Sequence, residues 1–309
     1  MGRKRKGDRV DGWLVLDKPV GVSSARAVAI VRRAFNAAKL GHGGTLDPLA
    51  GGILPLAFGE ATKTVGLVMD GRKTYAFSLR FGVQTDTDDA EGRPVATSGA
   101  RPGDEAIRAV LPRFTGRIEQ MPPAFSALKI DGKRAYELAR ADQPVVLKPR
   151  KVEIFSLEMV GRPDADTADF VVDCGKGTYI RSLARDLALA LGSVGHVAAL
   201  RRTRVGPFDE KQAISLALLE GLGHSPARFE HLLPVETVLD DIPALAVTED
   251  EAARLRMGQS LPMLRTGLRD SVPQAADGAA PMRAMSGDRL VALVRGENGE
   301  IRPVRVINP

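Results

Sequence analysis

One carboxylate stands alone in a run of glycines. Gly41-His42-Gly43-Gly44-Thr45-Leu46-Asp47-Pro48-Leu49-Ala50-Gly51-Gly52 contains five glycines, one histidine and a single acid, Asp47. A carboxylate in such a loop can act as nucleophile, move a proton or stabilise positive charge. Glycine lets backbone approach a ligand closely, and Pro48 biases Asp47 toward an extended conformation. On spacing alone the stretch fits equally a plain turn in which Asp47 bonds to nearby backbone. A second group of interest is Arg181, in the first turn of a helix entered from Cys174-Gly175-Lys176-Gly177-Thr178. A cation there opposes the helix dipole and calls for an acidic partner.

Other constellations exclude more than they suggest. Asp86, Asp88, Asp89 and Glu91 crowd the stretch 84–92. A calcium loop started at Asp86 would have Ala90 at its third ligand position and Glu91 where glycine is required, so no calcium site is expected. The same aspartates leave a metal-dependent nuclease as an alternative, testable by chelation. A phosphate-binding P-loop would need a further glycine at position 170, where Phe170 stands. The one cysteine, Cys174, rules out an internal disulfide and a cysteine-rich zinc site.

The positioning elements are legible in outline. Trp13-Leu14-Val15-Leu16 is a continuous apolar run, read as a buried strand. Ser23 or Ser24 can cap the helix that follows, in which Val28, Val31 and Phe35 keep helical spacing. Arg26, Arg32 and Arg33 lie away from much of that stripe, as a solvated face or as phosphate contacts. Ile53–Phe58 returns the chain to the core. Residues 74–81 alternate, putting Tyr75, Phe77, Leu79 and Phe81 on one strand face. Residues 152–159 and 168–173 read as two more strands. Ile180, Leu183, Leu187 and Leu191 then mark a helix that Gly192 can end. Thr248-Glu249-Asp250-Glu251 is a capping box, residues 266–287 read as a mobile loop, and residues 290–295 and 302–307 as closing strands. Together these make a mixed α and β chain.

At 309 residues the length suggests two domains. The net charge of +6 favours a polyanionic partner. No apolar run approaches the roughly 18 residues of a membrane span, and the N-terminus lacks a secretory core. A cytoplasmic location is expected.

The loop around Asp47 resembles the active-site loop of the TruB family, the tRNA pseudouridine-55 synthases. Position 43 is Gly where many members carry Thr. Further stretches match in order: Lys18-Pro19 with Gly21-Val22-Ser23-Ser24, Gly59–Lys63, Lys73-Thr74-Tyr75, Thr85–Gly92, Pro122–Lys129, Gly132–Tyr136, Gly177–Arg181 and Ala199–Phe208. The resemblance implies an α+β pseudouridine synthase fold, with a central mixed or antiparallel sheet, flanking helices and a small C-terminal PUA-like β-rich domain. Its expected divisions are a basic disordered arm at 1–10, a catalytic domain at 11–240 and an RNA-binding domain at 241–309. It implies Asp47 as catalytic acid, Arg181 as its partner, Tyr75 against the target base, His42, Tyr179 and Leu200 as substrate contacts, and Asp89 as a support. Arg201 and Arg202 would be phosphate contacts or solvated. The implied activity is isomerisation of uridine 55 in the tRNA T-arm, on a flipped-out base, by a monomer using no cofactor, metal or guide RNA. An RNA-folding protein with a vestigial site is the alternative from another class.

Overall fold

The computed structural model describes residues 7–126, 147–263 and 281–308, and the backbone of two short strands at 129–130 and 133–134. The strands are β1 (Gly12–Lys18), β2 (Leu40–His42), β3 (Ala50–Phe58), β4 (Lys73–Phe81), β5 (Val83–Thr85), β6 (Pro94–Thr97) and β7 (Gly116–Gln120). After β8 (Lys129–Ile130) and β9 (Lys133–Arg134) come β10 (Arg150–Asp164), β11 (Thr167–Cys174), β12 (Gly195–Val205), β13 (Phe208–Asp209) and β14 (Ile214–Ser215). The chain closes with β15 (Ala244–Ala246), β16 (Leu261–Pro262), β17 (Met282–Ser286), β18 (Arg289–Glu297) and β19 (Glu300–Val306). The helices are α1 (Ser24–Ala34), α2 (Val65–Asp70), α3 (Asp104–Val110), α4 (Ile180–Ala190), α5 (Leu216–Leu222) and α6 (Glu249–Arg256).

Ten strands form one mixed sheet, ordered β14-β1-β3-β12-β4-β11-β10-β7, with β2 on β3 and β13 on β12. The run Trp13–Leu16 of β1 is continuously apolar because it is buried on both faces. Leu14 and Leu16 join Val31, Phe35 and Leu183 in one core, while Trp13 and Val15 join Phe208 in the other. β4 is buried on one face only, so Tyr75, Phe77, Leu79 and Phe81 alternate with more exposed neighbours. Phe77 stacks on Phe170 of β11 at 5.1 Å.

β12 lies at the sheet's centre, parallel to β3 and antiparallel to β4. Gly52 is required at that junction: it has φ +97°, and a Cβ there would lie 2.2 Å from the Arg202 carbonyl oxygen. The second, five-stranded sheet runs β15-β17-β18-β19-β16 and packs with α6 around its own core. Leu290, Leu293 and Ile307 join it to the Trp13 side of the large sheet. The capping box at Thr248 and Glu251 starts α6.

Two expectations at the ends are corrected. Expected within a disordered arm, Asp8 donates its N–H to the Asn36 carbonyl at 2.6 Å, and Val10 is buried, because a bridge to Ala37 gathers this backbone in. The loop expected to run to 287 gives way by Met282 to β17, whose alternate residues Met282, Ala284 and Ser286 are buried. The rest of the loop up to 280, and residues 1–6 of the arm, lie outside the described residues. Among the described residues no helix is long and apolar enough to cross a membrane.

Candidate active site

The Asp47 loop joins β2 to β3, and polar groups from elsewhere hold it. Ser23, not Ser24, caps α1, accepting the Arg26 N–H at 3.2 Å. Ser24 is thereby left for the loop: its hydroxyl accepts the Leu46 N–H and donates to the Leu46 carbonyl, both at 2.8 Å. Gly21 N–H donates to the Pro48 carbonyl at 2.8 Å. Beneath the loop lies Arg202, only 1 % exposed. Its Nε donates to the Ile53 carbonyl at 2.8 Å and its Nη2 to the Gly44 carbonyl at 3.0 Å.

Arg202 therefore departs from the expectation of a phosphate contact or solvated side chain. It shares a strand face with Leu200, points inward and stands opposite Tyr75 in the register of β12 with β4. Arg201, on the other face, forms a two-pronged pair with Asp17 at 3.0 Å and a bond to Glu210 at 2.7 Å.

Against this loop α4 brings Arg181, 5 % exposed, whose Nη2 stands 3.0 Å from an Asp47 carboxylate oxygen. Asp47 is 40 % exposed, so the pair has one buried and one accessible member. The dipole-opposed arginine has further partners: Asp89 at 3.6 Å and the carbonyls of Thr87 and Phe125 at 2.9 and 2.8 Å. Asp89, itself buried, is held by the Thr87 hydroxyl and the Glu91 N–H. One turn on, Arg185 pairs with Asp88 at 2.9 Å; burial pushes the Asp88 carboxyl up against that arginine's pull. The acidic loop thus anchors α4. Among the described residues no group of three or more His, Cys, Asp or Glu is placed to hold a metal.

Asp47, Tyr75, Tyr179, Arg181 and Leu200 line a common cavity of about 170 Å³, with Thr45, Leu46, Ala50, Thr178 and Ile180. Tyr75 is both a member of the core row and a wall of the cavity. Burial raises the Tyr75 and Tyr179 hydroxyls above their ordinary value, leaving both rings neutral. His42 sits half-buried on β2 at the loop's entrance, outside the cavity lining.

Sequence reasoning missed three polar supports besides Arg202. Lys18 is fully buried, and its Nζ donates to the carbonyls of Pro19 and Val22 at 2.9 and 2.6 Å. Burial lowers this amine to about 8, with Asp47 pulling it up and Arg202 pushing it down. Ser24 and Gln120 are the others; the only sequence hint was that Ser24 was redundant as a cap beside Ser23. The motif residues from Ala127 to Tyr136 lie outside the described side chains.

A mixed sheet carrying an aspartate–arginine centre between two tyrosines delimits the class. Models of the TruB family pseudouridylate synthase N-terminal domain and of the tRNA pseudouridylate synthase B C-terminal domain match residues 32–180 and 181–240. A tRNA pseudouridine synthase B of Caulobacter vibrioides is 54 % identical, covering 99 % of each chain. One of Rhodospirillum rubrum is 52 % identical over the whole of both. Among solved structures, a chain of a Cbf5-Nop10-Gar1 complex superposes with a TM-score of 0.71 at 26 % identity, covering 96 % of this chain and 85 % of that one. The chain belongs to the TruB family of pseudouridine synthases.

Proposed function

We propose that the protein isomerises the uridine at position 55 in the T-arm of tRNA to pseudouridine, without a guide RNA, and that Asp47 is the reacting carboxylate. The observation that carries this is the Asp47–Arg181 pair, 3.0 Å apart, in a cavity walled by Tyr75 and Leu200. The reaction breaks the N1–C1′ bond, turns the base and forms a C5–C1′ bond; C5 loses a proton and N1 gains one. Product and substrate are isomers, so no oxidant, reductant or external group enters the balance.

A base stacked within folded RNA must leave the stack to reach Asp47. Tyr75 and Tyr179 offer it neutral faces, each stack worth about 1–3 kcal/mol, and Leu200 closes the floor. Arg181 orients Asp47 while remaining out of solvent itself. His42, at the loop's entrance, meets the RNA beside the vacated position. Residues 11–240 form the catalytic domain, and residues 241–309 a PUA-like domain that holds RNA by shape and phosphate.

The test is tritium release from T-arm RNA labelled at uridine C5. Asp47→Asn should bind the RNA as the wild type does and release no tritium. Turnover retained in a preparation free of host enzyme removes Asp47 from its role.

A further inference from the structure

Gln120 ends β7, an edge strand whose other residues, 116–119, are mostly exposed. It is itself 1 % exposed. Its amide lies against the backbone of a single residue, bridging the two peptide groups that flank it: Oε1 accepts the Tyr179 N–H at 2.8 Å and Nε2 donates to the Tyr179 carbonyl at 3.1 Å. Tyr179 is the N-cap of α4 and makes no side-chain cap bond. In a capping box, the third helical residue would reach back to the N-cap N–H. Here that residue, Ser182, turns its hydroxyl to the Met121 carbonyl at 2.7 Å, and Gln120 takes over the N-cap from another element. Met121 also accepts from Arg185 at 2.9 Å, and Phe125 from Arg181 at 2.8 Å. The segment 120–125 thus grips the first turn of α4, and Gln120 is the member that grips by its side chain.

We propose that Gln120 is a positioning residue for the isomerisation, setting the Tyr179 backbone and so the depth and angle at which α4 presents Tyr179 and Arg181 to Asp47. This rests on the assignment of Asp47 and Arg181 as the reacting centre. An apolar residue would fill the same space. An amide matched to both backbone groups of one residue adds orientation, and rates fall about 100-fold for misplacements near 1 Å.

Two variants test it on full-length protein and tRNA. Gln120→Leu keeps the volume and removes both bonds. Its single-turnover rate at saturating tRNA should fall about 10- to 100-fold, with the Kd for tRNA within about threefold of wild type. In Gln120→Glu a neutral carboxyl can replace both bonds, whereas the carboxylate faces the Tyr179 carbonyl with a lone pair. Burial raises the pH at which such an acid ionises. The rate of Gln120→Glu relative to wild type should therefore be near one at about pH 6 and fall toward about pH 8.5. A Leu variant with a wild-type rate, or a loss confined to tRNA affinity, overturns the proposal. If Gln120→Leu does not fold, a pH-independent Gln120→Glu ratio overturns it alone. Asp47→Asn, assayed beside them, separates the two assignments. Turnover there refutes the reacting centre, while an inert Asp47→Asn beside a normal Gln120→Leu refutes only the positioning role.

Discussion

Arg202→Met tests whether the glycine loop depends on its floor. The substitution keeps an apolar stem of similar length and removes every donor. The carbonyls of Ile53 and Gly44 lose bonds of 2.8 and 3.0 Å. At about 1–3 kcal/mol for each carbonyl left unsatisfied, the loss is about 2–6 kcal/mol. Methionine also avoids the desolvation of a buried guanidinium, which offsets part of that and leaves about 2–4 kcal/mol. For a chain of this size, each kcal/mol shifts Tm by about 2–4 °C, so calorimetry should show a fall of about 4–16 °C. Well below that Tm, where the protein is folded, tritium release should still drop more than about tenfold, because the loop bearing Asp47 has lost its support. Burial lowers Lys18 and Lys73 to about 8 and the charge of Arg202 adds to it, so the variant should raise both amines part of the way only. Wild-type Tm and rate in Arg202→Met would refute the reasoning.

A Cβ at Gly43 would lie 2.8 Å from Val68 Cγ1, so Gly43→Thr should cost about 1–3 kcal/mol and Val68→Ala should recover most of it; additive effects in a double-mutant cycle would refute the clash. Lys18 releases its proton near 8 in the folded chain and near 10.5 when unfolded, so its contribution to stability rises between those values and is lost as pH falls through 8. Activity should move the opposite way, dropping above about pH 8 as the cation beside Asp47 disappears; a Lys18→Met profile that keeps the same step would assign it elsewhere. Arg26 and Arg33 line a groove of about 550 Å³ with Ile30, Leu219 and His224. Replacing both arginines by Ala should weaken tRNA binding and flatten its salt dependence by about two in log–log slope, with the saturated rate unchanged. An unchanged slope makes them a solvated face.

The sequence was most legible where one local pattern had one physical cause. The continuous run at Trp13–Leu16 reports burial on both faces, and the alternation through Tyr75 and Phe81 reports burial on one. Arg181 announced a partner because its place in α4 opposes the dipole, and the carboxylates are there at 3.0 and 3.6 Å. β12 was recognised only as a stretch of motif, though it is central to the sheet. Irregularities between Val197 and Ala199 and between Arg202 and Arg204 shift its alternation, and an inward position is held by arginine. Charge type does not report burial: Arg201 and Arg202 are adjacent, and one pairs at the surface while the other lies under the loop.

The supports that escaped notice share a mode of action. Ser24 binds the N–H and carbonyl of Leu46, Gln120 those of Tyr179, and Arg202 the carbonyls of Gly44 and Ile53. Each recognises backbone, so nothing in the sequence of the supported segment marks its partner. The composition of the Asp47 loop makes such support necessary. Glycines leave open space around the carboxylate, and by the same absence of side chains they leave the loop little to pack with. Orientation must then come from distant buried polar groups, and those groups have to satisfy their own bonding capacity there. On the proposed role of Asp47, access for the substrate and rigidity of the acid are supplied by different parts of the chain, and a substitution under the loop should then slow the chemistry without touching the RNA.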